Sequence, residues 1–191
     1  MAFGTMYPDK TRSVIACDTS AKTPEGNREA WQERIKLAKT HPDGMGELGR
    51  ITLARWFPEG SKCHPKARGG VQEEKGGKVL EMIKGTSVLG FETGAGALME
   101  YDLITPTEEN NGGLLGSKVK TLLVAGSLDG GGKVAAGMRE LCGRWSAGRR
   151  GGGNGVVEFV AIEGAGHLPM VDETEKCGEV LRSFLKGVWN E

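Results

Sequence analysis

Residues 156–170 read VVEFVAIEGAGHLPM, and this stretch limits the fold more than any other. Val156, Val157, Phe159, Val160 and Ile162 form a nearly continuous β-branched and aromatic run, the pattern of a strand covered on both faces in a parallel sheet. Such strands present functional side chains at their carboxyl ends. There Gly164 and Gly166 allow close backbone approaches and Pro169 stiffens the exit, so His167 is expected on a fixed, partly exposed turn. A lone loop histidine is ordinarily a surface or capping residue. A second strand end changes that reading: residues 120–125, KTLLVA, run into Gly126, Ser127, Leu128 and Asp129 and then three glycines. One strand end delivers an acid and the next a histidine, where a catalytic base belongs.

The rest of the chain arranges itself around these two loops. Residues 1–7 read as the last turns of a helix stopped by Pro8, and 13–17, SVIAC, as the first strand. Asp18 follows at that strand's carboxyl end, where a turn-forming role is expected. From 21 to about 105 the strand alternation gives way to helical spacing, which marks an inserted lid. Trp31, Ile35 and Ala38 form one stripe, closed by the turn at 41–44. Met45, Leu48, Ile51 and Trp56 form a second, stopped by Phe57 and Pro58. A loop is expected over 59–70. Val79, Leu80 and Ile83 give a third, short stripe, and Phe91, Ala97, Leu98 and Tyr101 a fourth.

Beyond the Asp129 loop, Val134, Met138, Leu141, Cys142 and Trp145 repeat at helical spacing. The glycine-rich basic segment 146–155 reads as a mobile surface loop. No phosphate-binding loop is present, because Gly132-Lys133 is followed by Val134 and the first glycine of that motif is replaced by Ser127. A last helix from about Asp172 places Cys177, Val180, Leu181, Phe184, Leu185 and Val188 on one face, with Asp172, Glu173 and Glu175 at the positive end of its dipole.

Composition excludes several classes. Lys plus Arg equal Asp plus Glu at 25 each, so the net charge is zero and nothing favours nucleic acid or an anionic membrane as partner. The four cysteines show no metal or redox spacing and read as reduced thiols of a cytoplasmic protein. Cys63 and His64 are adjacent but lack a second ligand pair, so no metal is expected. Neither a membrane-spanning run nor a signal peptide is legible.

With these residues in place, the chain resembles the carboxyl-terminal part of α/β-hydrolases and, within them, the 3-oxoadipate enol-lactonase group. LLVAGSLDGG resembles the acid loop and EGAGHLPMVDE the histidine loop. SVIACDT, ARWFPE and GFETGAGALMEYDL resemble the sixth strand and lid segments. The family order of nucleophile, acid and base places acid and base after successive late strands. The resemblance implies three parallel strands flanked by helices in a partial core, 1–20 and 106–191, with a helical lid over 21–105. It implies Asp129 as the acid, His167 as general base, no cofactor, and a small ester or lactone as substrate. Arg55 and Trp56 become substrate-binding candidates, since an anionic lactone favours an arginine near the pocket mouth. On spacing alone, Trp56 packs in the lid core and Arg55 is solvated.

No G-x-S-x-G occurs in the sequence. In the family that elbow precedes the helix that residues 1–7 resemble, so the nucleophile and part of the oxyanion hole are expected outside these residues. Ser127 and Cys17 lie near strand ends but on no elbow. The isolated chain is therefore expected to be inactive, and strand 13–17 to leave an apolar edge open to self-association or a partner. Two alternatives stand beside the esterase reading. One is a haloalkane dehalogenase or epoxide hydrolase relative, which would carry aspartate at the missing elbow. The other is a noncatalytic binding or regulatory protein of the same fold.

Overall fold

The computed structural model describes residues 1–66, 71–110, 112–147 and 157–189, with backbone only for 71–73. The glycine-rich segment from 148 onward, Val156, and 67–70 of the expected loop lie outside the described residues. Three parallel strands form one sheet in the order β1 (Ser13–Cys17), β2 (Lys120–Gly126), β3 (Val157–Ile162). Ala16 pairs with Leu123, and Leu123 with Phe159.

β2 is buried from Thr121 to Gly126 because it alone has strands on both sides and helices on both faces. Its alternate residues divide the core. Leu123 and Ala125 pack on Met138, Leu141 and Trp145 of α6 (Lys133–Ala147). Leu122 and Val124 pack on Phe184 and Val188 of α8 (Thr174–Trp189). β3 was expected to be covered on both faces, yet Glu158 is exposed and Phe159 to Ala161 are only half-buried. Among the described residues β3 is an outer strand, and an edge position needs less apolar cover. Arg139 spreads its guanidinium 4.8 Å from the Phe159 ring and supplies part of that cover.

Before the sheet, α1 (Ala2–Met6) ends at Tyr7 as its sequence suggests. Between β1 and β2 the described residues make four α-helices: α2 (Asn27–Thr40), α3 (Gly44–Trp56), α4 (Val71–Lys84) and α5 (Val88–Leu98). The first two match the apolar stripes and their proline-marked stops. α4 begins eight residues before its first stripe residue, Val79, because Gly76 and Gly77 interrupt the pattern without breaking the helix. α5 is capped by Ser87, whose hydroxyl accepts the Gly90 N–H at 3.0 Å. Tyr101, read as part of this helix, lies past its end and hydrogen-bonds Ser20 Oγ at 2.6 Å. The two ends of the insertion are stitched together by Leu103 N–H to Ala21 O at 2.8 Å and Thr23 N–H to Tyr101 O at 2.9 Å. No helix among the described residues is long and apolar enough to cross a membrane.

Trp145 is 1% exposed, and its indole N–H donates to Ser117 O at 3.2 Å. Trp145→Ala should cost about 3–5 kcal/mol of folding stability, measured by urea denaturation. A loss below about 1 kcal/mol would contradict the packing of α6 on β2.

Candidate active site

The residues that sequence reading singled out meet at the carboxyl ends of the strands. Asp129 opens a short turn, Asp129–Gly132, directly after β2, and it is buried. The following glycines adopt positive φ, at +56° for Gly130 and +66° for Gly131, which lets the chain reverse into α6 without a side-chain clash. His167 follows β3 and is half-buried. Its Nδ1 lies 2.8 Å from Asp129 Oδ2. With Nδ1 engaged, Nε2 is the nitrogen left to exchange a proton with a reacting group.

Main-chain bonds fix the two loops to each other. Ser127 N–H donates to Ile162 O at 3.0 Å, Leu128 N–H to Ala165 O at 2.9 Å, and Gly164 N–H to Ser127 Oγ at 2.9 Å. Gly126 is required here, since a Cβ at that position would fall 2.0 Å from the Gly166 carbonyl oxygen.

The insertion adds a further wall to the site. His167 N–H donates to the Trp56 carbonyl at 2.7 Å, and the two rings stack with centroids 5.0 Å apart. Trp56 packs against the insertion core of Leu53, Phe57 and Val79, as its spacing alone suggests, and it also touches the candidate base. Asp172, expected to serve a helix dipole, instead lies in the one-turn helix α7 (Pro169–Asp172) and is buried. Its two oxygens accept Cys63 N–H at 3.0 Å and Gly166 N–H at 2.8 Å, so it ties insertion and histidine loop together.

A cavity of about 770 Å³ lies between the insertion and the strand ends, lined among others by Asp129, His167, Trp56, Arg55, Trp31 and Arg34. Arg34 was not singled out from sequence. It sits one turn before Ala38 on α2, its guanidinium 4.8 Å from the Trp31 ring centroid. Neither arginine forms an ion pair with a described carboxylate. Arg55 keeps an exposed surface, as its spacing alone suggests, and Arg34 is half-buried; partial desolvation lowers the proton affinity of both, and for Arg34 the neighbouring Arg55 charge lowers it further.

Asp18 is the second residue that sequence reading undervalued. It does make a turn, at φ +42°. It is also buried, and its Oδ1 accepts the Gly126 N–H at 2.8 Å. Burial pushes its carboxyl up to about 8, against the pull of the Gly126 N–H and with help from the Asp129 charge. Asp18, Asp129 and His167 each offer one atom within 4.8 Å of the others. Within this group the hydrogen bond is the one between His167 Nδ1 and Asp129 Oδ2, while Asp18 is held by Gly126 N–H. The group's chemistry is that of an imidazole held and polarised by a carboxylate.

A Cβ on residue 166 would fall 2.1 Å from the Trp56 carbonyl oxygen. Gly166→Ala should therefore separate the two segments and lower stability by about 1–3 kcal/mol. Thermal melting measures the loss, and an unchanged midpoint would show that the loop does not rest on α3.

No family model matches the sequence, and a search of curated proteins finds no match. Solved structures do match. A thermophilic esterase from Thermogutta terrifontis, malate bound, superposes with a TM-score of 0.71 at 21% identity, over 97% of this chain and 60% of that one. MGS-M2, an α/β-hydrolase enzyme from a Medee basin deep-sea metagenome library, gives 0.68 at 16% identity, over 96% of this chain and 59% of that one. MenH from S. aureus gives 0.65 at 15% identity, over 93% and 60%. The chain thus spans about 60% of the length of these structures, and over that span it has the α/β-hydrolase fold.

Proposed function

We propose that this chain carries the acid and the base of an α/β-hydrolase that acts on a carboxylic ester or lactone, of the 3-oxoadipate enol-lactone type. The observation that carries the reading is the 2.8 Å contact between His167 Nδ1 and Asp129 Oδ2 on the wall of the large cavity. In this role His167 takes the proton of an attacking hydroxyl and returns it to the leaving oxygen. Asp129 holds the imidazole in the right tautomer and stabilises its protonated form. The nucleophile and its oxyanion donors would be supplied by residues outside this sequence, which holds no G-x-S-x-G.

The division into a core, 1–20 and 106–191, and a lid, 21–105, suits this reading because the cavity takes walls from both. Trp31, Arg34, Arg55 and Trp56 come from the insertion and Asp129, Lys133 and His167 from the core. Two guanidinium groups that line the cavity and form no ion pair with a described carboxylate favour an anionic substrate, as an enol-lactone with a free carboxylate would be. Free thiols at Cys17, Cys142 and Cys177 support a reducing, cytoplasmic setting. The outer side of β1, unpaired among the described residues, is the surface we assign to self-association or a partner strand.

Hydrolysis of enol-lactone and aryl esters should be measured for the 191-residue chain and for the same chain extended by whatever its transcript encodes upstream. The extended protein should turn over, and the short chain should not exceed buffer. In the active form His167→Ala should lower kcat about 10³-fold or more. Turnover indifferent to that substitution would overturn the reading.

Arg34→Ala combined with Arg55→Ala should raise KM for an anionic ester about tenfold or more while leaving a neutral ester of similar size unaffected. An equal effect on both esters would remove the case for an anionic substrate.

A further inference from the structure

The acid behind His167 has a second carboxyl beside it that the reaction scheme does not use. Asp18 belongs to a different strand end, has 8% of its surface exposed, and its Oδ2 is buried with no hydrogen-bond partner. Its other oxygen is satisfied by Gly126 N–H. A buried carboxylate with one donorless oxygen, in a group that comes within 4.8 Å of a second carboxylate, is the arrangement that two ionised acids cannot sustain. Protonation resolves it, because a carboxylic acid becomes a donor and its neighbour can accept.

We propose that Asp18 is a positioning residue that holds a proton and donates it from Oδ2 to Asp129. The unit behind the imidazole is then a pair of carboxyl groups sharing one proton and one negative charge. Asp129 accepts two hydrogen bonds, one from His167 and one from Asp18, and neither oxygen can swing away from the ring. When Asp18 ionises, the proton leaves to solvent, two negative charges stand side by side, and Asp129 loses its second anchor.

The surroundings favour the neutral acid. Cys17 on the same strand and Cys177 on α8 face Asp18, and burial raises both thiols, Cys17 to about 11, so neither offers compensating charge. Arg55 on α3 interacts with Asp129. Lys22 and Lys133 line the cavity, and Lys22 is already bridged to Asp102 at 2.8 Å. The direction of the Asp18 titration, upward to about 8, agrees with the geometry.

The test is a pH titration of the 191-residue chain labelled with ¹³C and ¹⁵N, following the carboxyl carbons of Asp18 and Asp129 and the ring nitrogens of His167. Wild type should show one shared inflection near pH 8 in both carboxyl signals, with the His167 Nδ1–H signal moving at the same midpoint. Asp18→Asn, whose amide still donates to Asp129, should abolish that inflection and keep the His167 Nδ1 hydrogen bond to Asp129 unchanged across the same pH range. The infrared carbonyl stretch of a protonated acid, present in wild type at pH 6 and lost by pH 10, needs no variant and covers the case in which Asp18→Asn misfolds. The proposal fails if Asp18 titrates among ordinary carboxylates, or if Asp129 does not move with it. It fails equally if Asp18→Asn releases the His167 Nδ1 hydrogen bond at pH 6. Stoichiometric binding of zinc ion that displaces the same signals would assign the cluster to a cation instead.

Discussion

One main-chain hydrogen bond, from His167 N–H to the Trp56 carbonyl, decides how the helical insertion meets the sheet. It works only because residue 166 has no side chain to hold the two segments apart. Around it, Asp172 accepts one N–H from each side, and hydrogen bonds to a charged acceptor contribute about 1.5–3 kcal/mol apiece. Lys62 bridges to Glu173 at 2.7 Å, and Lys75 Nζ reaches Val171 O at 3.2 Å. The ring stack of Trp56 on His167 and the cavity beside it are consequences of this seam. Neither the insertion nor the sheet alone determines where the imidazole sits.

The four acids near the seam show how one environment treats carboxyl groups differently. Asp172 is saturated with two backbone donors. Glu173 is held below its usual range chiefly by Lys62, with Lys176 assisting. Asp129 faces an imidazole. Asp18 alone has an oxygen with nothing to receive, and burial acts on it without opposition from a cation. Burial is similar for all four, so the difference lies in which donors the fold brings to each oxygen.

Much of this was legible in the sequence. β1, β2, α2, α3, α6 and α8 follow from apolar spacing and from proline and glycine stops, because their periodicities are set by local geometry. The adjacency of Asp129 and His167 followed from their places at strand ends. What escaped was decided by contacts between distant segments. Asp18 reads as a turn residue until parallel register sets Cys17 beside Val124 and so brings Asp18 to the Gly126 N–H. Arg34 looks like one more polar residue of an amphipathic helix until α2 is placed over the cavity. Asp172 precedes a helix, where an acid needs no further explanation, and only the fold reveals its two donors, the distant Cys63 and the nearby Gly166. The exposure of Glu158 likewise depends on which strands flank β3.

The order of the elements along the chain has a kinetic consequence. β1 and β2 are neighbours in the sheet, yet Ser13 pairs with Lys120 more than a hundred residues away, with α2 to α5 between. Such a pairing gives nothing back until a long loop has closed, whereas the helices can form and collapse on local contacts. The insertion should therefore gain structure first and present β1 to β2 afterwards. In this order the strand-end cluster of Asp18, Asp129 and His167 is among the last features to assemble, and a chain caught earlier has its helices but no site.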